Sequence, residues 1–329
     1  MKYSEIGKSG LKASLVAIGA FGLGGGKTWS DTKTDAQKVA LLFDKAVELG
    51  VNVIDTAPVY GLGDSENLLG NALKGKRQNF ILQTKCALNW RDQSGRLEYE
   101  RDGKKVYRNL SAQAVRGDLE DSLKRLKTDY IDIYITHRQS DTVPLEETMG
   151  ELLKLKDEGK IRAIGISQAS HEILEKYTVI GPVALVQEKL SILSPGACEK
   201  YIPTCEKLGV TFQVFASLEA GALTGPHALG RTFPDGDIRR NFKWFTQEMY
   251  PHMAEMYKKW EPLCKKYNCS YANLAQAWTL NQSPNINLLI GVRQIESLVD
   301  TVKVLDIVIE QADIQKMYDD CDYVREQAK

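Results

Sequence analysis

Eight short apolar runs, each followed by a longer segment of helical period, constrain this 329-residue chain more than any other feature. The runs are LVAIGA (15–20), VNVIDT (51–56), FILQTK (80–85), YIDIYIT (130–136), RAIGIS (162–167), VALVQE (183–188), VTFQVF (210–215) and NLLIG (287–291). Helical segments are predicted over 35–49, 65–73, 111–126, 144–158, 171–177, 197–208, 251–267, 271–281 and 294–305. Ser111 and Ser270 are suitable N-caps, and Gly50 and Gly159 are suitable stops. Strand–helix alternation of this kind builds a parallel sheet, and eight such units close it. The expected fold is α/β, a (β/α)8 TIM barrel forming a single domain over 1–329.

Three segments fall outside that plan. The first dozen residues hold two extended pieces around Lys8, Ser9 and Gly10, which predicts an N-terminal β-hairpin plugging the barrel floor. Asn89 to Asn109 is a polar insertion after strand 3, and Gly221 to Trp244 is a long loop after strand 7. Both leave the C-terminal ends of strands, where barrel enzymes keep their sites, and loops of this length usually serve a function.

Composition excludes several classes. Lys plus Arg and Asp plus Glu both number 43, so no net charge draws the chain toward polyanions, and nucleic acid is not an expected partner. The start lacks a signal-peptide core and no apolar run approaches a membrane span, so the expected address is cytoplasmic, without a membrane. Six cysteines at 86, 198, 205, 264, 269 and 321 show neither paired nor metal-ligand spacing; reduced thiols and no metal are expected. Nothing in the sequence indicates an oligomer.

In a parallel barrel, ionisable residues that end different strands converge on one mouth although they are distant in sequence. Asp55 ends the second run, Lys85 the third, and His137 follows the fourth. Tyr60 comes five positions after Asp55, past Pro58, in a loop expected to fold back over the mouth. Singly, each has a structural explanation: half of a salt bridge, or a packed aromatic. Together they suit carbonyl reduction, in which an alkoxide must receive a proton. A tyrosine is a weak acid near neutrality, but an adjacent ammonium stabilises its phenolate, and a carboxylate keeps that ammonium charged. His137 can hydrogen-bond the carbonyl oxygen or relay the proton. His171, His227 and His252 have no comparable setting.

At these residues the chain resembles the aldo-keto reductase family, of the bacterial type related to the potassium-channel β-subunit branch. NVIDTAPVYGLGDSENLLG (52–70), LQTK (82–85), LEDSLKRLKTDYIDIYITH (119–137) and GKIRAIGIS (159–167) carry the likeness, which spans nearly the whole chain. The resemblance implies that Tyr60 is the proton donor, Lys85 and Asp55 its tuning pair, and His137 a substrate-positioning group. It also implies an extended nicotinamide cofactor, NADP (NADPH) rather than NAD. The run GAFGLGGG (19–26), including Gly19, Ala20 and Phe21, becomes a loop near cofactor and substrate. Ser167, Gln168 and Gln187 are implied for the carboxamide, Phe215 for stacking on the nicotinamide, and Ser217, Leu218 and Gly291 as further contacts. Arg293 and Ser297, within IGVRQIESLVDTV (290–302), fall in the family's 2'-phosphate segment. This chain departs from many relatives at Gln168, Phe215, Ser297 and Thr301.

The expected substrate is a small carbonyl compound, an aldehyde or ketone of sugar-like or polyol-like character. Trp90, Tyr99 and Tyr107 of the insertion would then form a lid over it, the equal alternative being a solvent-facing or subunit-contacting excursion. Two other functions compete: a cofactor-binding regulatory or sensing protein with vestigial turnover, and a barrel hydrolase or aldolase using Lys85 as a Schiff base.

Overall fold

The structure, a computed structural model, describes residues 1–24, 29 and 34–328. The chain opens with an antiparallel hairpin, β1 (Tyr3–Glu5) and β2 (Lys12–Ser14). The strands β3 (Val16–Gly19), β4 (Val53–Asp55) and β5 (Ile81–Cys86) follow, with α1 (Ala36–Leu49) and α2 (Asp64–Ala72) between them. Then come β6 (Leu88–Asn89), β7 (Arg96–Arg101), β8 (Lys104–Arg108), α3 (Ala112–Leu126) and β9 (Ile131–Thr136). After α4 (Leu145–Asp157) the alternation resumes with β10 (Ile161–Ser167), α5 (His171–Ile180), β11 (Val183–Lys189), α6 (Ala197–Leu208) and β12 (Thr211–Phe215). The remainder is α7 (Tyr250–Lys266), α8 (Tyr271–Asn281), β13 (Ile286–Gly291), α9 (Ile295–Val302) and α10 (Gln311–Gln327).

Among these, β3, β4, β5, β9, β10, β11, β12 and β13 pair in parallel and close into a barrel in chain order. This is the (β/α)8 architecture expected from the alternation. Local chemistry agrees with it: Asp35, Ser111, Ser170 and Ser270 accept backbone N–H groups at helix starts, and Gly50 and Gly209 stop helices in the left-handed region. The apolar layer between strands and helices includes Phe43, Leu119, Leu152, Tyr177 and Trp260, all buried.

The hairpin seals the strands' N-terminal ends, as expected. Its Ile6 and Leu11 pack inside the barrel with Ala17, Val53, Ile133 and Leu289, and the Gly7 N–H donates to Thr211 Oγ1 (2.8 Å). Gly7 lies at φ +54°, and a Cβ there would meet the Ala184 carbonyl oxygen at 2.3 Å, so only glycine permits this approach.

Two segments differ from expectation. The 89–109 insertion is a small antiparallel sheet, ordered β6-β8-β7, rather than a plain loop. Its turn is Asp102–Gly103, both at positive φ, between Arg101 and Lys104 in register, which is the two-residue hairpin geometry that Asp-Gly favours. Residues 311–327, for which no helix was expected, form α10. Ile314, Met317, Cys321 and Val324 bury one stripe of it, a spacing diluted in the sequence by seven charged residues from Asp313 to Glu326. The loop after β12 runs through short 3-10 turns, and Glu219 ties its two ends together. That buried carboxylate accepts from Lys189 Nζ (2.8 Å), Ser191 Oγ (2.5 Å) and Trp244 Nε1 (3.1 Å).

Arg91 clamps the inserted sheet to α3 through Asp118 (3.0 Å) and Asp121 (3.1 Å), while the Ala87 N–H donates to Asp118. Burial pushes the Asp118 carboxyl up to about 7 despite the opposing pull of Arg91. An unfolded aspartate titrates near 3.9, so between about pH 4 and pH 7 the folded chain holds a proton that the unfolded chain has released. Stability from this group therefore falls as pH rises through that window. Relative to the parent, Asp118→Asn is expected to gain stability from pH 4 to pH 7 and to run parallel above it. Urea unfolding across that range checks this, and parallel curves throughout would contradict it.

Candidate active site

Because the eight barrel strands are parallel, their C-terminal ends share one mouth. Asp55 ends β4, Lys85 lies one residue before the end of β5, and His137 follows β9, its N–H donating to the Cys86 carbonyl (3.1 Å). The β4–α2 loop turns at once: the Tyr60 N–H donates to the Ala57 carbonyl and the Ser65 N–H to the Tyr60 carbonyl, both at 3.1 Å. This reversal returns Tyr60 to the mouth. The glycine run after β3 supports it from above, since a Cβ on Gly24 would meet the Tyr60 carbonyl oxygen at 2.9 Å. Gly25 and Gly26 of that run lie outside the described residues.

Lys85 Nζ donates to Asp55 Oδ2 (2.6 Å), the Thr56 carbonyl (2.8 Å) and the Tyr60 hydroxyl oxygen (3.1 Å). An ammonium has three protons and no acceptor, so all three are committed, and the Tyr60 oxygen receives one of them. The Tyr60 proton must then point away from Lys85. The Tyr60 ring stands edge-on to Phe21 (centroids 4.9 Å apart) and to His137 (5.8 Å).

Electrostatics refine the expectation for Tyr60. Burial raises its pKa, and this outweighs the lowering by Lys85, so the net shift is upward rather than downward. The phenol is neutral at rest with its proton in place, and Lys85 acts only on the phenolate as it forms. For Lys85 burial is the largest influence and lowers the pKa, yet the carboxylate of Asp55 and the contact with Tyr60 together carry it above its ordinary value. Burial, then the charges of Lys85 and Arg138, hold His137 well below its ordinary value. At neutral pH it is an uncharged imidazole with one N–H. It can donate a hydrogen bond, but it does not hold the second ring proton that a relay would release.

The other predicted residues lie near the C-terminal ends of the same barrel strands or in the segments that follow them. Gly19, Ser167, Phe215 and Gly291 each end a barrel strand, and the Ala20 N–H continues the ladder to the Asp55 carbonyl (2.8 Å). Gln168 adopts a left-handed φ of 49°, and its side chain reaches the His137 carbonyl (3.5 Å). Gln187 Nε2 donates to Asp55 Oδ1 (2.6 Å) and Gln213 Oε1 (2.7 Å), which commits both its protons. Ser217 is buried, Leu218 packs against the core, and Ser297 is exposed on α9. Arg293 sits where a Cβ on Gly22 would lie 3.5 Å from its Cδ, linking the β13–α9 corner to the β3 loop.

Sequence reasoning missed several neighbours. Arg239, from the loop after β12, stacks over Trp29 (4.6 Å) and Phe233 (4.5 Å) and is close enough to Arg293 to lower its pKa after burial has done so. Gln213 continues the amide chain to Asn287 Oδ1 (2.8 Å), whose Nδ2 donates to the Ser14 carbonyl (2.8 Å). Its only signal was a glutamine inside the apolar run TFQVF. The inserted sheet brings Val106, Leu88, Tyr99 and Trp90 against Ala57, Val59 and Tyr60. Among the described residues no His, Cys, Asp and Glu side chains gather as a metal site, and no helix is long and apolar enough to cross a membrane.

A parallel barrel with a Tyr, Lys, Asp and His group at its mouth defines a class that comparison with known proteins makes specific. The model of the aldo/keto reductase family matches residues 15–320. The chain is 36% identical over 321 residues to the NADH-specific methylglyoxal reductase of Escherichia coli K12, covering 96% of this chain and 97% of that protein. It is 33% identical over 306 residues to the aldo-keto reductase YhdN of Bacillus subtilis 168, covering 91% and 88%. A glycerol dehydrogenase structure from Gluconobacter oxydans superposes with a TM-score of 0.85 at 29% identity, over 97% of this chain and 94% of that one. The chain belongs to the aldo/keto reductase family, whose members are oxidoreductases that use nicotinamide cofactors.

Proposed function

We propose that the chain interconverts a small carbonyl compound and its alcohol with NADP, and that Tyr60 supplies the proton. The observation that carries this reading is the Lys85 ammonium, enclosed by Asp55, Thr56 and Tyr60, with the Tyr60 proton left to face the mouth. The enclosure also argues against Lys85 as a Schiff-base nucleophile, which requires a free amine.

When bound, the nicotinamide exchanges the hydride with the substrate carbon. The residues present suit such a group. Gln187, both its protons spent, offers only its Oε1, an acceptor for a carboxamide N–H; Ser167 and Gln168 stand beside it and Phe215 supplies a flat apolar face. Ser217, Leu218 and Gly291 are assigned as further contacts, with Arg293, Arg239 and Ser297 at the phosphate end. Arg239 stands near enough to lower the pKa of Arg293, and two guanidinium groups so placed suit a phosphate, which offsets their repulsion. Neutral His137 donates to the substrate oxygen and positions it, and Tyr60 protonates that oxygen as charge develops there. Lys85 stabilises the phenolate that remains, and Asp55 keeps Lys85 charged. Hydroxylated substrates are favoured by the polar and aromatic groups of the inserted sheet, and the relatives act on methylglyoxal and glycerol by name.

The test is oxidation of NADPH and NADH with a panel of aldehydes, ketoses and dicarbonyls. Turnover is expected, and cofactor binding without turnover on any of them would sink the reading. The NADH-specific relative makes the cofactor arm decisive. Arg293→Ala is expected to weaken NADP binding by about tenfold or more, the loss of one charge-assisted contact, and NAD binding little. Equal weakening would reject the phosphate assignment.

A further inference from the structure

Helix α7 ends in a turn with a specific hydrogen-bond pattern. The Cys269 N–H donates to the Cys264 carbonyl (3.0 Å), the Asn268 N–H donates to the Lys265 carbonyl (3.3 Å), and Asn268 is left-handed at φ 47°. This is the Schellman arrangement, which brings together the side chains at its first and last positions, commonly an apolar pair. Here those positions are Cys264 and Cys269. Both are half-buried, and both line an open cavity of about 570 Å³ with Lys265, Asp300 and Lys303. The other thiols differ: Cys86, Cys205 and Cys321 are buried, and half-buried Cys198 has Gln282 Oε1 as its neighbour (3.7 Å).

We propose that Cys264 and Cys269 form a modification site, a dithiol that hydrogen peroxide entering the cavity converts to a disulfide. The turn has already met the entropic cost of bringing the sulfurs together, and the cavity admits a small oxidant. The two thiols lie close enough to act on one another's protons. This holds Cys269 below its ordinary thiol range against burial and the nearby Asp300, and it pushes Cys264 up. Cys269 is therefore the attacking thiolate and Cys264 the resolving thiol. The Cys269 sulfur attacks one peroxide oxygen: an S–O bond forms, the O–O bond breaks, and hydroxide leaves and takes a proton from solvent. Cys264 then gives up its proton and attacks the Cys269 sulfenic acid. The S–S bond forms, the S–O bond breaks, and the oxygen departs as a second water. Two thiols are oxidised and one peroxide is reduced to two waters.

The bond would fix the corner between α7 and α8. Ser270, the next residue, caps α8 and donates to Asp300 Oδ2 (2.8 Å) on α9. A cross-link closing so short a loop restricts the unfolded chain little, so chemistry is the appropriate readout rather than melting.

The full chain, fully reduced and then exposed to hydrogen peroxide, is expected to lose two titratable thiols. Trypsin cuts after Lys265 and Lys266, so the fragments carrying Cys264 and Cys269 should be joined by a bond that dithiothreitol releases. Cys264→Ser is expected to accumulate a dimedone-trappable sulfenic acid at Cys269. Cys269→Ser should slow oxidation at Cys264 by at least about tenfold, because the activated thiolate is gone. Circular dichroism of both variants confirms that they fold. No joined fragments in the parent, or equal oxidation rates in the two variants, would overturn the proposal.

Discussion

Replacing Tyr60 by phenylalanine is expected to lower turnover by at least about two orders of magnitude while cofactor affinity stays within about twofold. A positioned general acid contributes on that scale, and phenylalanine keeps the ring packed edge-on against Phe21 and His137. The hydroxyl lost is also one of three acceptors around Lys85 Nζ, and the other two, Asp55 Oδ2 and the Thr56 carbonyl, remain. The ion pair should survive, so melting is expected to change little. Single-turnover reduction, monitored by cofactor absorbance, separates the chemical step from product release. Near-parental single-turnover rates would remove Tyr60 from proton transfer.

The barrel was legible because each strand is a mainly apolar run and α1, α3, α5 and α8 carry their own side-chain caps, so local signals agree with the global fold. The four mouth residues were legible for a related reason: chain polarity alone puts every strand end on one face. Residues whose role depends on long loops were not. Arg239 meets Trp29 across some 210 positions, and no pattern in either segment announces that contact. The inserted sheet escaped detection because its strands are heavily charged and carry only a few inward side chains, such as Val106 and Tyr99, although Asp102–Gly103 marked its turn. Charge masked α10 in the same way, hiding a regular buried stripe. Sequence also misjudged the balance at Tyr60. The identities of Lys85 and Asp55 predict a lowered pKa, but how deeply the phenol is buried is a property of packing, and burial wins.

Packing likewise governs what Lys85 does for the fold, and Lys85→Met separates its two roles. Lys85 and Asp55 are each about 1% exposed, so removing the ammonium leaves a carboxylate in the barrel with, among the described residues, only Gln187 donating to it. Stranding one member of a buried pair costs about 3–5 kcal/mol, although Asp55 can recover part of this by taking up a proton. Turnover should fall at least as far as in Tyr60→Phe, because the forming phenolate loses its cation. The double variant Lys85→Met with Asp55→Asn distinguishes the causes. Asparagine keeps an oxygen to accept from Gln187 Nε2 and brings no charge, and exchanging a buried ion pair for neutral groups is often neutral for stability. Urea unfolding should therefore show stability largely restored in the double variant, while turnover remains as low as in Lys85→Met. Recovery of turnover along with stability would mean that Lys85 acts only by balancing Asp55, and the case for its support of the Tyr60 phenolate would fail.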